Sequence, residues 1–533
     1  MKSLPIGIQT LSKIIEQNYV YVDKTKFFFD FVKQGGYYFI SRPRRFGKSL
    51  MISTLQEIFG GNKELFKDLW IYDKIDWQKY PIIKIDFNVV NHSKNLETFE
   101  KSLKKLLNQN AEKYDIFLEN TTPKDMLKDL IEKLSKLGKV VLLIDEYDKP
   151  IIDYMNNLEK ANENKEFLSS FYEVIKGLDE YFKFVMLTGV SKFSKVSVFS
   201  KLNNLNDITL NYKYAGLFGI TEEELYLYFK EHIALTSKKL EKTEQELKIS
   251  IKKWYNGYSW DSFTKVYNPF SILNFFFNKR FSNFWFDTGT PSFLIENMKK
   301  RDFELSDLEK IEVEEYVFNS YDLENIDTVC LLFQTGYLTI IEKKSDFEGE
   351  RYILSIPNME VRKSLFNSIL GAYTNKNISK LKPPYLQMVD KLKIGEIEDF
   401  IILLSSSFAS IPYSIHPNKE NFYHSVFYLM MVLLGAKIDA EVLTDKGRID
   451  GVIEFEDRVY IIELKVGNAK QALKQIKSRK YYERYFGLNK KIFLLGIGGF
   501  EKKKIEYLVE EIAYTNSLSK RSFSALKKLG HSS

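Results

Sequence analysis

Apolar runs of strand length alternate with amphipathic stretches over the first part of the chain. Four of these runs are almost continuously apolar, at residues 37–41, 81–90, 140–145 and 182–190. Strands that are apolar on both faces occur in parallel sheets that helices cover on both sides. The amphipathic stretches between the runs, including one that begins at Lys48, can supply these helices. The pattern therefore predicts an α/β fold with a parallel sheet in residues 1–218.

The pattern changes near Thr221, where the sequence TEEEL places acidic residues in the first turn of a helix. The following region is predicted to be largely helical, with two β-type runs at 331–340 and 351–358 that flank a charged loop like a winged-helix hairpin. A Lys/Pro-rich joint lies near residue 382, and residues 437–467 alternate as in a mixed sheet. We predict a helical, winged-helix-like region, a helical connector, a small α/β domain and a basic helical tail over 219–382, 383–419, 420–500 and 501–533.

Composition indicates a folded protein without selecting a function. Hydrophobic residues make up 44% of the 533 residues and aromatic residues 15%, far more than in disordered chains. The net charge of +7 permits nucleic-acid contact, and a Lys-rich surface explains it equally well. Cys330, the only cysteine, lies in an apolar run, so we expect a buried thiol and a cytoplasmic location. We expect no membrane segment, and carboxylates as the ligands of any catalytic metal.

A loop that could bind phosphates follows the first predicted strand and opens an amphipathic helix. Its sequence is SRPRRFGKS at residues 41–49, so the glycine that begins the usual GxxxxGK[ST] pattern is replaced by Arg42. Backbone N–H groups would surround the phosphates of ATP, Lys48 would reach the β and γ oxygens, and the Ser49 hydroxyl would bind Mg²⁺. The predicted nucleotide-contacting loop consists of Arg42, Pro43, Arg44, Arg45, Phe46 and Gly47.

Two further strand ends carry polar groups that suit a nucleotide site. The strand at 140–145 ends in Asp145 and Glu146, which would order the Mg²⁺ water shell and polarise the attacking water. The alternative is a solvated acidic pair, which would suit Asp148 better than Asp145. The strand at 182–190 contains Thr188, which is either a sensor of the γ-phosphate or an ordinary strand-end threonine.

Seven motifs in the first 360 residues resemble the AAA-ATPase-like family of bacterial and mobile-element proteins. They are YVDKT at 21–25, RPRRFGKSL at 42–50, LLIDEYDKP at 142–150, LTGVSKFSKVSVFSKLNNL at 187–205, WYNGYSW at 254–260, YNPFSIL at 267–273 and LLFQTGYLTI at 331–340. The resemblance implies a P-loop NTPase domain with a helical, winged-helix-like appendage, and an arginine at position 42 belongs to the family pattern. Arg42, Arg44 and Arg45 would lie beside the phosphates, where they could stabilise charge, contact nucleic acid or contact a neighbouring subunit.

A second candidate site lies in the predicted mixed sheet. Asp450 begins one strand, and Glu463 and Lys465 are two residues apart in the next, which puts them on the same face. A hairpin would bring these three side chains together, with two carboxylates holding Mg²⁺ and a lysine stabilising the attacking hydroxide. The alternative is a surface hairpin with alternating charges. The apolar neighbours of Glu463 argue against it, because embedded charges are costly.

The segments around this site resemble the PD-(D/E)XK nuclease superfamily. They are TDKGRIDGVIEF, VYIIELKV and AKQALKQIKSRKYYERY, followed by KIFLLGIGG. The resemblance implies a restriction-endonuclease-like fold and carries over Asp450, Glu463, Lys465 and the helical Gln475. Either Glu420 or Glu441 would supply an additional acid, and His424 either approaches the same pocket or is a packed helix residue. The helix presents a basic face that could contact phosphates or be merely solvated, formed by Lys470, Lys474, Lys477, Arg479 and Lys480.

Three functions are compatible with two such sites. The first is an enzyme in which ATP controls a Mg²⁺-dependent nuclease acting on DNA or RNA, in a defence or mobile-element system. The second is an ATP-operated switch that binds nucleic acid without cutting it, and the third is a signalling ATPase that acts on protein partners. The set of Asp450, Glu463 and Lys465 favours the first. We expect ATP and Mg²⁺ as cofactors and nucleic acid as partner, and a homo-oligomer is compatible because a neighbouring subunit often completes a P-loop site.

Overall fold

The computed structural model describes residues 1–192, 204–285, 308, 310–319, 327–347, 349–374, 382–409, 420–433, 438–444, 447–500 and 505–512, without the side chains of 319, 373–374, 382–386, 420–422, 425, 432 and 438–449. Contacts divide the chain into two compact units, Met1–Met298 with Glu309–Arg362 and Lys299–Leu308 with Lys363–Ser533. The finer division into five parts stays a prediction. Among the described residues, no helix is long and apolar enough to cross a membrane.

The first unit contains a five-stranded parallel sheet with the strand order β2-β3-β4-β1-β5. Its strands are β1 (Gly36–Ser41), β2 (Ile82–Asp86), β3 (Val140–Asp145), β4 (Phe182–Gly189) and β5 (Asn206–Asp207). Every residue of β3 is buried, as expected of a strand covered on both faces. The predicted α/β class with a parallel sheet is confirmed. The carboxyl ends of the strands meet at one edge, where Ser41 pairs with Gly189 and Asp86 with Asp145.

Helices precede and connect the strands of this sheet. In the described part they are α1 (Leu11–Glu16), α2 (Phe28–Gln34), α3 (Lys48–Phe59), α4 (Leu96–Glu112), α5 (Pro123–Ser135), α6 (Lys149–Ile152) and α7 (Leu158–Gly177). The three long connecting helices begin at polar caps, because the side chains of Asn95, Thr122 and Asn157 each accept a hydrogen bond from a backbone N–H of the first turn. These caps fix the residue at which each helix begins.

The apolar run predicted at 81–90 forms a strand only as far as Asp86. The Asp86 carboxylate accepts hydrogen bonds from the backbone N–H of Asn88 at 2.9 Å and from its side-chain amide at 3.0 Å. This local turn competes with the sheet for the backbone and ends the strand. Phe87 and Val90 are nevertheless buried, which explains why the apolar pattern continues beyond the last strand residue.

The middle of the first unit is helical, as predicted. It contains the short strands β6 (Ile220–Thr221) and β7 (Val266–Tyr267) and the helices α8 (Glu222–Tyr228), α9 (Lys230–Lys239), α10 (Glu244–Tyr255) and α11 (Pro269–Asn278). Thr221 begins α8 with a capping box, in which its hydroxyl accepts from the Glu224 N–H and the Glu224 carboxylate accepts from the Thr221 N–H. The helix start predicted at Thr221 is therefore confirmed.

The predicted hairpin is present, but its first strand begins later than expected. Residues 331–335 belong to α12 (Thr328–Thr335), because Asp327 caps this helix by accepting from two backbone N–H groups of its first turn. The hairpin and a third strand form an antiparallel sheet in the order β8-β10-β9, from β8 (Ile311–Glu314), β9 (Thr339–Asp346) and β10 (Gly349–Ser355). Cys330 lies in α12 with its thiol buried, as predicted. Helix α13 (Met359–Thr374) follows.

The second unit contains a five-stranded mixed sheet in the order β11-β12-β13-β14-β15. Its elements are α14 (Lys382–Ile394), α15 (Ile397–Ala409), α16 (Glu420–Leu433), β11 (Ile438–Thr444), β12 (Gly447–Glu454), β13 (Arg458–Leu464), α17 (Ala469–Arg479), β14 (Lys491–Gly498) and β15 (Glu506–Ile512). Strand β12 is antiparallel to both neighbours, whereas β13 and β14 are parallel. The predicted small α/β domain with a mixed sheet is confirmed.

The helical tail predicted at 501–533 is wrong for residues 506–512. These residues form β15, which is antiparallel to β14 over its whole length. The charged residues of this segment have no strong local preference, so the unpaired edge of β14 decides its conformation. The rest of the predicted tail lies outside the described residues.

Helix α17 lies directly against β14 at two glycines. A methyl group on Gly498 would be 2.4 Å from the backbone nitrogen of Ala469, and one on Gly496 would be 2.6 Å from that of Leu473. Side chains at these positions would push the helix away from the strand. The close approach therefore sets where the α17 side chains lie.

We predict that Gly498→Ala lowers the free energy of unfolding by about 1–3 kcal/mol, because the added methyl group overpacks the contact between α17 and β14. Gly487→Ala is the matched control, since a methyl group there would meet nothing within 4 Å. Urea denaturation of the full chain measures both variants. Equal stability of the two would show that the helix can shift without cost.

Candidate functional sites

The loop at residues 42–47 connects β1 to α3, so it opens at the carboxyl edge of the parallel sheet. Gly47 has a φ of 100° and Arg45 a φ of 69°, which turn the chain sharply into the helix. Lys48 is the first helical residue, and Ser49 follows in the first turn. Backbone N–H groups at such a helix start are suited to anions. The local geometry thus agrees with the phosphate-binding loop predicted from the sequence.

The Lys48 ammonium group is buried inside this loop. It donates to the carbonyl oxygens of Arg42 at 3.0 Å and Pro43 at 3.3 Å, and it lies 3.3 Å from the Glu146 carboxylate. A buried cation needs such oxygen partners to replace its hydration. Phosphate oxygens could take the place of the carboxylate, so the group is suited to bind a nucleotide.

Three residues predicted to bind Mg²⁺ or the nucleotide lie close together next to Lys48, namely Ser49, Asp145 and Thr188. Asp145 ends β3 and is 1% exposed, and its carboxylate accepts from the Thr188 hydroxyl of β4 at 2.6 Å. Burial and the neighbouring Glu146 raise the pKa of Asp145, while hydrogen bonds from the side chains of Ser49 and Thr188 lower it. A hydroxyl and a buried carboxylate are the protein ligands that Mg²⁺ needs beside nucleotide phosphates. The residues present therefore fit Mg²⁺·ATP.

The acidic residues after β3 have different surroundings. Glu146 adopts a left-handed backbone conformation with a φ of 52° that directs it toward Lys48. Asp148 is fully buried and accepts from the Val190 N–H at 3.0 Å and from the Ser191 N–H at 2.6 Å. Burial raises the pKa of Asp148, and the hydrogen bonds from Ser191 oppose this rise. Neither Asp145 nor Asp148 is solvated, and Asp148 holds the segment that follows β4.

The three loop arginines point in different directions. The Arg42 guanidinium is 1% exposed and donates to the carbonyl oxygens of Ser41 and Thr209, whereas Lys48 contacts only its backbone carbonyl. An Arg44 nitrogen lies 3.9 Å from the Asp153 carboxylate, and the Arg45 guanidinium lies over the Phe270 ring. The sequence did not indicate these separate partners, because all of them except Ser41 are distant along the chain.

In the second unit, Asp450 and Glu463 are brought together by the pairing of β12 with β13. The Asp450 carboxylate accepts from the Leu464 N–H at 2.7 Å, which ties it to the end of β13. Lys465 follows that strand, and its ammonium lies 3.4 Å from the Glu463 carboxylate. The structure thus assembles the three side chains that the sequence predicted to meet.

Helix α17 and the segment that follows it each add one residue to this site. The Gln475 side-chain amide donates to Oε1 of Glu463, as the resemblance to nucleases implied. Tyr481 is 2% exposed, and its hydroxyl is hydrogen-bonded to Gln475. Sequence reasoning missed Tyr481 and also Gly496 and Gly498, although alternate glycines in a strand signal a close backbone approach.

One carboxylate oxygen of Glu463 has no hydrogen-bond partner among the described residues and is available to bind a cation. Its side chain is fully buried, and Oε2 has no hydrogen-bond partner among the described residues. Burial and the nearby Asp450 raise the pKa of Glu463 to about 8, while Lys465 opposes this rise. A divalent cation would satisfy the orphaned oxygen and the like-charge pair together. Among the residues that the structure describes, no group of three or more His, Cys, Asp or Glu is arranged to hold a metal. The metal ligands that can be named in this site are therefore the two carboxylates of Asp450 and Glu463.

His424 of α16 also reaches this site. Its Nε2 lies 3.2 Å from the carbonyl oxygen of Leu464 and 3.3 Å from Oδ2 of Asp450. The side chains of Glu420 and Glu441, the two candidates for an additional acid, lie outside the described residues. On the basic face of α17, Lys477 pairs with Glu510 at 3.0 Å. This pair reduces the charge that the helix offers to phosphates.

The fold and the two sites define a P-loop ATPase-type unit joined in one chain to a nuclease-type mixed sheet. A model of the AAA-ATPase-like family, described as predicted AAA-ATPase, matches residues 5–199, and a model of the PD-(D/E)XK nuclease superfamily matches residues 418–508. The chain is 38% identical over 510 residues to the "Uncharacterized protein in vnfD 5'region" of Azotobacter chroococcum mcd 1, covering 93% of this chain and 96% of that protein. The chain belongs to the AAA-ATPase-like family and carries a PD-(D/E)XK nuclease-superfamily domain. No solved structure matches it.

We predict that the stability of the metal-free protein falls as pH rises from about 4.5 to about 8, the interval between the ordinary pKa of Glu463 and its pKa in the folded protein. The folded state keeps the proton over this interval and the unfolded state has released it, so deprotonation favours unfolding. Urea denaturation at several pH values, with a chelator present, measures the effect.

Glu463→Gln should remove this contribution, and the exposed Glu456→Gln should keep it. Added Mg²⁺ should stabilise the wild type most at the upper end of the interval, because the metal competes with the proton. An unchanged pH profile in Glu463→Gln would contradict the expected buried titration.

Proposed function

We propose that the chain is an ATPase that controls a Mg²⁺-dependent nuclease for DNA or RNA. The observation that carries this proposal is the fully buried Glu463, whose second oxygen has no partner among the described residues although Asp450 and Lys465 lie beside it. A carboxylate in this state is costly unless it has a cation to bind. Its position in a nuclease-superfamily domain supports phosphodiester hydrolysis.

In the ATPase site, the loop at 42–49 binds the phosphates and Lys48 contacts their β and γ oxygens. Ser49 and Asp145 would hold Mg²⁺, which would neutralise phosphate charge. Glu146 accepts the proton of the attacking water as the water oxygen bonds to the γ-phosphorus and the bond to the leaving oxygen of ADP breaks. Thr188 senses the γ-phosphate through its hydrogen bond to Asp145. The contacts of Lys48 with Glu146 and of Thr188 with Asp145 support these roles.

In the nuclease site, Asp450 and Glu463 would hold Mg²⁺, which would make a water molecule a stronger nucleophile. Lys465 stabilises the attacking oxygen and the charge that develops on the phosphate, and Gln475 orients the Glu463 carboxylate. The water oxygen bonds to phosphorus as the bond to the leaving sugar oxygen breaks, and the proton that the water releases ends on that sugar oxygen. The contacts of Glu463 with Lys465 and Gln475 support this arrangement.

A second candidate, an ATPase that acts on a protein partner, is favoured by the charges of the β9–β10 hairpin. Its cations are compensated, since Lys343 pairs with Glu350 at 2.6 Å and Arg351 with Asp346 at 2.5 Å. A nucleic-acid wing would instead direct cations at phosphates. The cytoplasmic location, a homo-oligomer and a role in defence or mobile elements remain parts of the proposal, and the single cysteine supports the location.

Lys48→Ala should weaken ATP binding roughly tenfold to hundredfold, because it removes charge-assisted hydrogen bonds to phosphate. The exposed Lys67→Ala should bind ATP as the wild type does. Titration calorimetry with ATP and Mg²⁺ measures both. Unchanged affinity in Lys48→Ala would refute the proposed nucleotide site.

Lys465→Ala should lower Mg²⁺-dependent cleavage of single- or double-stranded DNA or RNA by roughly 10²-fold or more, because the developing charge loses its stabilising cation. The exposed Lys393→Ala is the matched control in the same unit. Cleavage with and without ATP, and in Lys48→Ala, shows whether the ATPase controls it. Absence of cleavage in the wild type with intact ATP hydrolysis would favour the switch or the signalling function.

A further inference from the structure

The loop at residues 42–46 is contacted at every position by residues from the helical part of the first unit. Six residues, which we name the loop collar, make these contacts: Phe218, Tyr258, Trp260, Phe270, Trp285 and Gly336. Phosphate-binding loops need only their own backbone and a helix N-terminus to hold an anion. The collar is therefore an additional support of the loop from its outer side.

The contacts are of several kinds. The Arg42 guanidinium lies 4.1 Å from the centre of the Trp260 ring, and the Phe46 ring packs edge-on against Trp260 at 5.4 Å. The Trp285 indole N–H donates to the carbonyl oxygen of Arg44 at 3.2 Å. Pro43 lies where a methyl group on Gly336 would be 2.8 Å from its ring, so only glycine fits there. Packing, a cation on an aromatic ring and a hydrogen bond thus fix successive loop residues.

The collar is itself held by a buried carboxylate. Glu360 is fully buried and accepts from the backbone N–H of Trp285 at 2.8 Å and from the Ser271 hydroxyl at 2.7 Å. Ser271 follows Phe270, which stacks on Arg45. One side chain thus fixes two collar segments that are distant in sequence.

The Arg42 side chain makes its contacts on the side of the loop that faces the collar. Its Nη1 donates to the carbonyl oxygens of Ser41 and Thr209, both at 2.8 Å, and its Nε and Nη2 have no partner among the described residues. Burial lowers the pKa of Arg42 to about 9, which still leaves it charged at neutral pH. The guanidinium therefore lies over Trp260 while its Nη1 donates to two carbonyl oxygens, a combination that the single ammonium nitrogen of lysine cannot reproduce.

We propose that Arg42 is a positioning residue that fastens the phosphate loop to Trp260 of the collar and does not itself bind phosphate. The Arg42 carbonyl oxygen accepts from the Lys48 ammonium at 3.0 Å, so the place of Arg42 sets the place of Lys48. The inference rests on the proposed ATP site. It explains how an arginine can stand where the usual loop has glycine.

A double-mutant cycle tests the fastening. Arg42→Met, Trp260→Leu and the double variant are titrated with ATP and with ADP in the presence of Mg²⁺, on the full chain. Each single change should weaken both nucleotides by the same factor, about tenfold, because the loop moves as a whole. The double variant should bind no more weakly than the weaker single variant.

Arg42→Lys and Arg42→Gly make the test sharper. Both should bind as poorly as Arg42→Met. Glycine has no side chain, and a lysine ammonium cannot lie over Trp260 and also bind the carbonyl oxygens of Ser41 and Thr209. Rescue by Arg42→Lys, a loss confined to ATP, or multiplying effects in the double variant would overturn the inference and identify Arg42 as a phosphate ligand. Wild-type binding by Arg42→Gly would overturn it as well.

A milder variant covers the case in which Trp260→Leu does not fold. Trp285→Phe keeps an aromatic ring and removes only the hydrogen bond to Arg44, so it should weaken ATP and ADP equally. Trp77→Phe is its matched control, since the Trp77 indole N–H donates to the Tyr72 carbonyl oxygen, outside the loop. Equal ATP and ADP affinities of Trp285→Phe and Trp77→Phe would overturn the inference that the collar supports the loop. Unchanged ATP affinity in Lys48→Ala would instead refute the nucleotide site itself, so the two failures are distinguishable.

Discussion

The burial of the Lys48 ammonium group is the constraint on which the first unit depends. A cation that is 3% exposed is stable only if oxygen atoms replace the water it has lost. Two of these oxygens are loop carbonyls and the third belongs to Glu146, so one side chain fixes both the path of the loop and the end of β3. Glu146, which supplies the third oxygen, has a left-handed backbone conformation, and such strain is kept only where the surrounding structure requires it. A phosphate group that approaches Lys48 therefore competes with an ion pair already in place.

The second unit faces the converse problem, a buried carboxyl group. Lys465 and Gln475 contact one oxygen of Glu463, and the other lacks a partner among the described residues. Helix α17 can bring Gln475 to this point only because Gly496 and Gly498 let it lie against β14. Backbone packing several residues away thus decides the electrostatics of the site. In both units an ionisable side chain is retained in the interior at a cost that apolar packing alone would avoid.

Local patterns predicted what depends on local physics. The buried run at 140–145 became β3 because a continuous apolar strand has few alternatives, and the Thr221 cap began α8 as expected. The helical conformation predicted for residues 506–512 is wrong, because pairing with the edge of β14, and not their own preference, makes them a strand. The meeting of Asp450 with Glu463 followed from the predicted hairpin, and strand alternation placed Lys465 on the same face as Glu463. The role of Gln475 came only from the resemblance. The partner of Arg42 could not be predicted, since Trp260 is more than two hundred positions away along the chain.

The lone thiol of Cys330 has a practical consequence. It is buried in α12 and accepts a hydrogen bond from the Gln334 side-chain amide at 3.4 Å, so maleimide reagents have little access to it in the folded protein. A cysteine introduced at any exposed position would then be the dominant site of reaction, without prior removal of native thiols. Pairs of dyes or spin labels could therefore be attached to each unit of the intact chain, which makes the distance between the units accessible to spectroscopy as nucleotide is added.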